Sequence, residues 1–354
     1  MGYLILQVFS AFFIFATFFP LVKLDYWWVR IFDYPRLQKL VIIIGLTVCW
    51  ISLLGWSVSL EAFIWIAALG ISAIYLSTKV WPFSPFGKKM IETVSYNEQA
   101  GISLLVGNVY QYNKHYEKAV ALVNSVNPDL IFFVETDKAW ENGLSEIEND
   151  YPTQIKIPLD NTYGLLLYTR MEIVKQEINY LIDEEIPSLE IDLKLRNGKI
   201  ITIYAIHPTP PVPGENDKST ERDAEILMVG KKSKENPKPS LVIGDLNDVA
   251  WSYTTELFLK NSEMADPRRG RGLFNTFHAK VPLFRWPLDH IFLSKHFGLA
   301  SLKVQKGIGS DHFPISLKAV LTPTNDTEMI KANGEEKEEA REKISRGLDE
   351  NDKD

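Results

Sequence analysis

Three stretches near the start of the chain carry no charged side chain: Tyr3 to Val22, Leu40 to Leu60 and Ala62 to Thr78. Each approaches the roughly 20 apolar residues that cross a bilayer as a helix. The pattern predicts a three-helix transmembrane anchor over residues 1–79. A cleaved signal peptide fits less well, because no positive residue precedes the first segment and Phe18-Phe19-Pro20-Leu21 is a poor small-residue cleavage site. Residues 80–100, with Pro82, Pro85 and Gly87, read as a linker leaving the membrane.

From residue 101 to 321 the pattern changes to short apolar runs alternating with helical periodicity. Strands are predicted at Ile102–Gly107, Leu130–Glu135, Gly164–Thr169, Leu189–Leu195, Ile200–Ile206 and Leu241–Gly244, with two more near 289–293 and 312–320. Helices are predicted over Tyr112–Val126, Thr220–Lys232 and about 252–260. Asn197-Gly198 supplies a tight turn between two of the strands. Hairpins mixed with crossovers imply an α/β domain with a two-layered sheet core flanked by helices. Beyond Thr322 the chain is rich in Thr, Asn, Glu and Lys, and residues 322–354 read as a charged, disordered tail with a frayed helix near 335–346.

Composition narrows the function. The hydrophobic share of 46% in 354 residues is ample for a core. Cys49, the single cysteine, lies inside the second apolar segment, which leaves neither a disulfide nor a cysteine zinc site. Residues 101–320 hold 25 Lys+Arg against 29 Asp+Glu. A protein that grips long duplex normally shows a positive footprint, so general nucleic-acid binding is disfavoured, while small phosphate substrates are not.

Polar residues gather where the apolar strands stop. Asn108 closes the first, Glu135 the second, His207 the hairpin strand, and Asp245 with Asn247 the turn Gly244-Asp-Leu-Asn-Asp; Asp289 and Asp311-His312 open the last two. Sites in sheet proteins form at strand ends, where loops converge on a rigid sheet. Glu135 and Asp311 are hard oxygen ligands of the type Mg²⁺ prefers. His312 is suited to pairing with a carboxylate such as Asp289, leaving its other nitrogen for phosphate or water. Asp245 and Asn247, two residues apart after a strand, can share a side, one orienting water and the other donating to a phosphoryl oxygen. Each has a bland alternative: Asn108 as a strand-ending turn residue, His207 as a packed histidine, Gly244-Asp-Leu-Asn-Asp as an ordinary turn. Their joint order carries the case.

In that order the chain resembles the endonuclease/exonuclease/phosphatase family, which includes deoxyribonuclease I, apurinic endonucleases, sphingomyelinases and inositol polyphosphate phosphatases. The matching elements are Val106-Gly-Asn108, Phe133-Val-Glu135-Thr, Ala205-Ile-His207-Pro, Gly244-Asp245-Leu-Asn247, Leu288-Asp289-His-Ile and Gly309-Ser-Asp311-His312-Phe-Pro. The resemblance implies a four-layer α/β sandwich and a divalent-metal-dependent phosphoesterase using Mg²⁺ or Mn²⁺. It implies Glu135 as principal metal ligand, with Asn108 and Asp311 in or near the metal shell. Asp245 would position the nucleophilic water, Asn247 would bind phosphate, and His312, supported by Asp289, would stabilise the transition state. His207 would occupy the second histidine position of the nuclease and sphingomyelinase branches.

Substrate choice lives in loops. Arg222, opening a helix after the Pro208–Pro213 loop, is a candidate phosphate contact, and Arg268-Arg269-Gly-Arg271 a candidate basic loop for phosphates or headgroups. Trp251 and Trp286 are candidates for stacking or for the core. The anchor favours a lipid-linked or membrane-proximal phosphate ester; a nuclease and a non-catalytic membrane scaffold are the alternatives. The loops around the apolar segments place Lys23, Arg30, Arg36 and Lys39 on the side of the catalytic domain, which by the charge rule is cytoplasmic. Bacterial family members with several N-terminal helices, which this chain resembles in architecture, display the domain outside the cell membrane, so the side stays open.

Overall fold

The computed structural model describes residues 1–54, 59–322 and 329–351. The chain opens with α1 (Gly2–Phe18), a short loop helix α2 (Trp27–Arg30), α3 (Arg36–Leu54) and α4 (Leu60–Val80). Three of these helical stretches, Gly2–Val22, Arg36–Leu53 and Leu60–Phe83, are long and apolar enough to cross a membrane. They bury Ile43, Trp50, Leu69 and Leu76 against one another, while Val8, Phe12, Val41, Ile44, Ile64 and Ile74 stay exposed. Contiguous exposed apolar surface of this kind marks contact with a membrane or with another protein.

Eleven strands follow among the described residues: β1 (Gly101–Asn108), β2 (Leu130–Val134), β3 (Thr153–Ile157), β4 (Leu165–Thr169), β5 (Glu172–Asn179), β6 (Ser188–Lys194), β7 (Ile200–Ala205), β8 (Ser240–Asp245), β9 (Asp289–Leu293), β10 (Phe297–Val304) and β11 (Ile315–Leu321). One sheet has the order β10-β11-β1-β2-β4-β3 and the other β5-β6-β7-β8-β9. The helices are α5 (Tyr116–Val126), α6 (Lys138–Gly143), α7 (Thr220–Glu235), α8 (Tyr253–Ser262) and α9 (Gly334–Asn351).

Every residue of β1 and β2 is buried, because both faces of a central strand are covered. The two-residue period still sorts them. Leu104, Val106, Leu130 and Phe132 point into the core between the sheets, whereas Leu105, Ile131 and Phe133 pack under α5 and α6 with Ala119, Val123 and Trp140. On the other side Tyr204, Val242 and Phe292 meet Ile226, Leu257 and Phe258 of α7 and α8. The result is helix, sheet, sheet, helix: the four-layer α/β sandwich the resemblance implies.

Each sheet contains one parallel pair, β1 with β2 and β7 with β8. The crossovers of these pairs run through α5 and α7. The C-terminal ends of β1, β2, β7 and β8 therefore open on one edge of the sandwich. Antiparallel β9 starts there too, with Asp289 opposite Asp245, and β11 starts at Ile315 opposite Val106.

Two expectations need correction. Residues 80–100 do not hang free as a linker: Phe83 is buried beside Val249 and Trp251, Met90 and Ile91 join the inter-sheet core, and the Val94 N–H donates to Leu299 O at 3.0 Å. The expected disordered tail instead carries α9, which packs on α7 so closely that a side chain at Gly347 would meet Ala224 Cβ at 2.3 Å. Lys343, 3% exposed, bonds Asp25 Oδ1 at 3.1 Å and Asp223 Oδ2 at 2.9 Å. Composition misled because this helix docks through buried ion pairs and a few small or aliphatic residues, such as Ala340 and Ile344, rather than a broad apolar face.

One buried carboxyl on α7 stands apart. Glu225 is 4% exposed and its Oε1 has no hydrogen-bond partner among the described residues. Burial, aided by Asp183 and Glu221, pushes its pKa up to about 8. A raised carboxyl pKa in the fold means stability is fullest below the unfolded value of roughly 4.3 and is lost as pH rises towards the folded value. Glu225→Gln should therefore raise the melting midpoint of detergent-solubilised protein at pH 8, by an amount on the order of 2 kcal/mol, and leave it unchanged at pH 4.5. Equal midpoints at pH 8 would refute the reading.

Candidate active site

The strand ends bring Asn108, Glu135, His207, Asp245, Asn247, Asp289, Asp311 and His312 to one edge of the sandwich. Sharp backbone turns aim them. Glu135 has φ +57° and Asn247 φ +51°, left-handed values that few non-glycine residues adopt and that cluster at functional sites. Gly244 has φ +142°, and a Cβ there would fall 1.8 Å from Ile206 O. The turn between β8 and its loop thus requires glycine in order to present Asp245 and Asn247.

Asn108 links the two sheets. Its Nδ2 donates to Glu135 Oε1 at 2.5 Å and to Asp245 Oδ2 at 3.1 Å, while its Oδ1 accepts the Tyr110 N–H at 2.9 Å. Asp245 Oδ1 accepts the Asn247 N–H at 3.0 Å. Across the site, His312 Nδ1 lies 2.8 Å from Asp289 Oδ2, and its Nε2 faces Asp245 Oδ2 at 3.5 Å. Phe277 packs on the imidazole with ring centroids 4.9 Å apart. Ser310 ties this loop to β1 by donating from Oγ to Asn108 O at 2.9 Å. Asn247 Nδ2 donates to Pro208 O at 3.0 Å. His207 is buried with Nδ1 unpartnered among the described residues, beside the Tyr163 ring.

Burial and charge act against each other here. Desolvation disfavours the charged His312, but Asp245 and Asp289 outweigh it and lift its pKa to about 10, so the ring carries a proton on each nitrogen. Burial works to raise Asp245, yet His312 and the Asn108 amide hold it below the usual carboxylate range. For His207 burial prevails: it drops the pKa to about 4 against the opposing Asp245 charge, with His312 adding to the drop, and leaves the ring neutral. Burial pushes Glu135 up to about 7 against the opposing Asn108 bond.

Two donor sets could take a cation. Asp245, Asp289 and His312 offer ligand atoms within 4.8 Å of one another. In this structure His312 Nδ1 is engaged by Asp289 Oδ2 at 2.8 Å and its Nε2 faces Asp245 Oδ2 at 3.5 Å, so the three side chains already satisfy one another. Glu135 differs: its carboxylate accepts from the Asn108 amide and, at 3.4 Å, from the Gln111 N–H, and no ion pair to a basic side chain is found among the described residues. Even a partly buried carboxylate without a cation is costly. Asp311, half-buried, opens on the same pocket. Glu135 and Asp311 are hard donors that fit Mg²⁺ or Mn²⁺, and Asn108 holds Glu135 in place through its Nδ2.

The pocket above these residues has a volume of about 730 Å³. Glu135, Asn247, Asp311 and His312 form its floor; Pro210–Pro213 form one wall and Phe277, Phe284 and Trp286 another. The remaining wall, Trp27, Ile31, Tyr34 and Pro35, belongs to the connection between α1 and α3. A second pocket, about 670 Å³, has Asp183, Glu215, Asp217, Glu221 and Glu350 in its lining against one cation, Lys218, which is paired with Glu350, and would repel a phosphate.

Several substrate candidates read from the sequence fall away. Arg222 is 2% exposed, bonded to Asp223 and to Asn247 O, so it braces the loop from behind and does not face the pocket. The Arg268–Arg271 loop is likewise spent internally: Arg268 on Asp266 and His290, Arg269 on Glu256, Arg271 on Ile91 O and Thr93. Trp251 is a core residue whose Nε1 donates to Asp33 O, whereas Trp286 lines the pocket. Tyr34, Ile31 and Trp27 lie in an aromatic-rich loop that reads from the sequence as a membrane-interface segment, and nothing in it marks them as residues of the site. The contact of Tyr34 with the site spans 213 positions, and no local pattern announces such a pairing.

A four-layer sandwich with carboxylates, amides and a carboxylate-bound histidine at one edge defines a class of hydrolases that act on phosphate esters. The chain belongs to the endonuclease/exonuclease/phosphatase family, whose profile matches residues 95–312. Solved structures agree in fold. A family member from Bacteroides vulgatus is 17% identical with a TM-score of 0.51, covering 63% of this chain and 99% of its own. D. rerio TDP2 complexed with a single-strand DNA product is 18% identical with a TM-score of 0.50, covering 62% and 99%. The human Nocturnin catalytic domain with bound sulfate is 15% identical with a TM-score of 0.50, covering 63% and 96%. No curated protein sequence matches the chain.

Proposed function

We propose that this protein is a membrane-anchored, divalent-metal-dependent phosphoesterase acting on a phosphate ester or lipid-linked pyrophosphate at the membrane surface. The observation that carries the reading is the pocket: its floor is the strand-end polar set, and one wall is the connection between two helices long and apolar enough to cross a membrane. A substrate held there has its phosphate on Asn247 and His312 and its remainder against apolar side chains beside the bilayer. The wider lipid surface is a partner of the anchor, and the localisation is the cell membrane.

Mg²⁺ or Mn²⁺ would be held by Glu135 and Asp311 with help from Asn108, and when bound would neutralise phosphate charge and stabilise the leaving oxygen. The protein groups do the rest. Asp245, anionic and acceptor-only, orients or deprotonates the attacking water. Asn247 turns from Pro208 to donate its amide to a phosphoryl oxygen. His312, kept doubly protonated between Asp245 and Asp289, donates from Nε2 to charge developing on the phosphoryl group. His207, neutral and buried, is a second imidazole donor or acceptor beside them.

A second reading, nuclease action, is favoured by the likeness to the DNA-bound TDP2 structure. The charge balance of 25 against 29 and the apolar walls weigh against it.

The test uses the full chain in detergent micelles on phosphomonoester, phosphodiester, plasmid and lipid-pyrophosphate substrates. EDTA should abolish phosphate release, Mg²⁺ or Mn²⁺ should restore it, and Glu135→Gln should raise the metal concentration needed by at least about tenfold. Plasmid nicking faster than lipid hydrolysis would favour the nuclease. Hydrolysis of nothing in the panel would leave the non-catalytic scaffold.

A further inference from the structure

The loop between α1 and α3 does more than join two helices. It docks on the catalytic domain through backbone bonds, Trp27 N–H to Asp217 O at 2.9 Å and Ser219 N–H to Asp25 O at 2.7 Å. A buried run of charge fixes it: Arg30 near Asp25 and Asp33 at 3.5 and 3.6 Å, Arg36 on Asp33, and Lys343 of α9 between Asp25 and Asp223. The run continues through Arg222, 2.7 Å from Asp223 and 3.6 Å from Asp248, into the loop that holds Asn247. Tyr34 stands at the end of this docked segment, edge-on to Trp286 with centroids 5.6 Å apart.

The Tyr34 hydroxyl donates to Asn247 O at 3.0 Å, and Arg222 Nη1 donates to the same oxygen at 2.7 Å. Asn247 is in a left-handed conformation that persists only when its surroundings over-determine it. Its N–H is held by Asp245 and its side chain by Pro208. Its carbonyl is held by one donor from the catalytic domain and one from the membrane anchor. Burial raises the Tyr34 pKa, so the phenol remains a donor.

From this arrangement we infer that Tyr34, carried by the loop between the first two membrane helices, is a positioning residue that locks the Asn247 peptide. The active site of the catalytic domain is then incomplete without its anchor. The inference rests on the phosphoesterase reading for its kinetic arm, and on geometry alone for its second arm.

The experiment compares full-length wild type, Tyr34→Phe and Ile31→Ala in detergent micelles. Ile31 shares the loop and the pocket wall and has no bond to Asn247. For Tyr34→Phe, kcat should fall by about tenfold while KM and the melting midpoint stay put, the pattern for an interaction that matters in the transition state. Hydrogen exchange of amides in the 246–250 segment should quicken in Tyr34→Phe and not in Ile31→Ala. An unchanged kcat, a rise in KM alone, or equal exchange in all three proteins would overturn the inference. If wild type hydrolyses no phosphoester, the phosphoesterase reading fails by itself, and the exchange comparison still decides whether Tyr34 locks the loop.

Discussion

Asp289→Asn should lower kcat by about 10²–10⁴-fold while leaving KM and the thermal midpoint nearly unchanged. Asp289 Oδ2 lies 2.8 Å from His312 Nδ1, and the Asp289 N–H is fixed on Thr276 Oγ1 at 3.1 Å, so an amide of the same shape fills the same space. What it removes is one of the two anions that keep His312 protonated. An asparagine that turns its amide nitrogen to the ring would also force the wrong tautomer. Either way Nε2 stops being a reliable donor to charge on the phosphoryl group. Steady-state kinetics on whichever phosphoester the wild type hydrolyses would settle it, with the melting midpoint as control. A kcat within threefold of wild type would sink the role assigned to His312.

Lys343→Met should destabilise the full chain by roughly 3 kcal/mol, the lower end of what removing one member of a buried ion cluster costs. Lys343 sits between Asp25 and Asp223, and these anions keep its pKa raised despite burial. Asp25 retains Arg30 and Arg346, and Asp223 retains Arg222, which places the effect at the low end. Differential scanning of detergent-solubilised protein should show a clearly lower midpoint, partly restored by Lys343→Arg. A midpoint equal to wild type would mean that α9 does not fasten the anchor loop to α7.

Much of the fold was legible because its central strands are buried on both faces and read as continuous apolar runs: Leu130–Val134 and Leu241–Gly244 need no context. The strands that went unread, β3, β5 and β10, are edges of their sheets. Their exposed flanks mix charge into the pattern, as in Glu172–Asn179, where Glu, Lys and Gln interrupt the apolar positions. The tail was misread for a related reason. A helix that docks by Lys343, Ala340 and Gly347 buries too little apolar surface to differ, in sequence, from one that stays in solvent.

The site divides along the same line. The ordered residues Asn108, Glu135, Asp245, Asn247, Asp289 and His312 are visible in the chain because each lies at or within a few residues of the end of a strand, and a strand's end lies at the sheet edge. That much the sequence determined by itself, together with three uncharged segments long enough to span a bilayer. Only the tertiary structure decided that Arg222 turns inward, that the basic loop is consumed by Asp266, Glu256 and backbone carbonyls, and that Tyr34, from the connection between α1 and α3, closes the pocket. Those contacts join positions up to hundreds of residues apart, and a side chain's partner at such range depends on how whole layers pack, which no local spacing encodes.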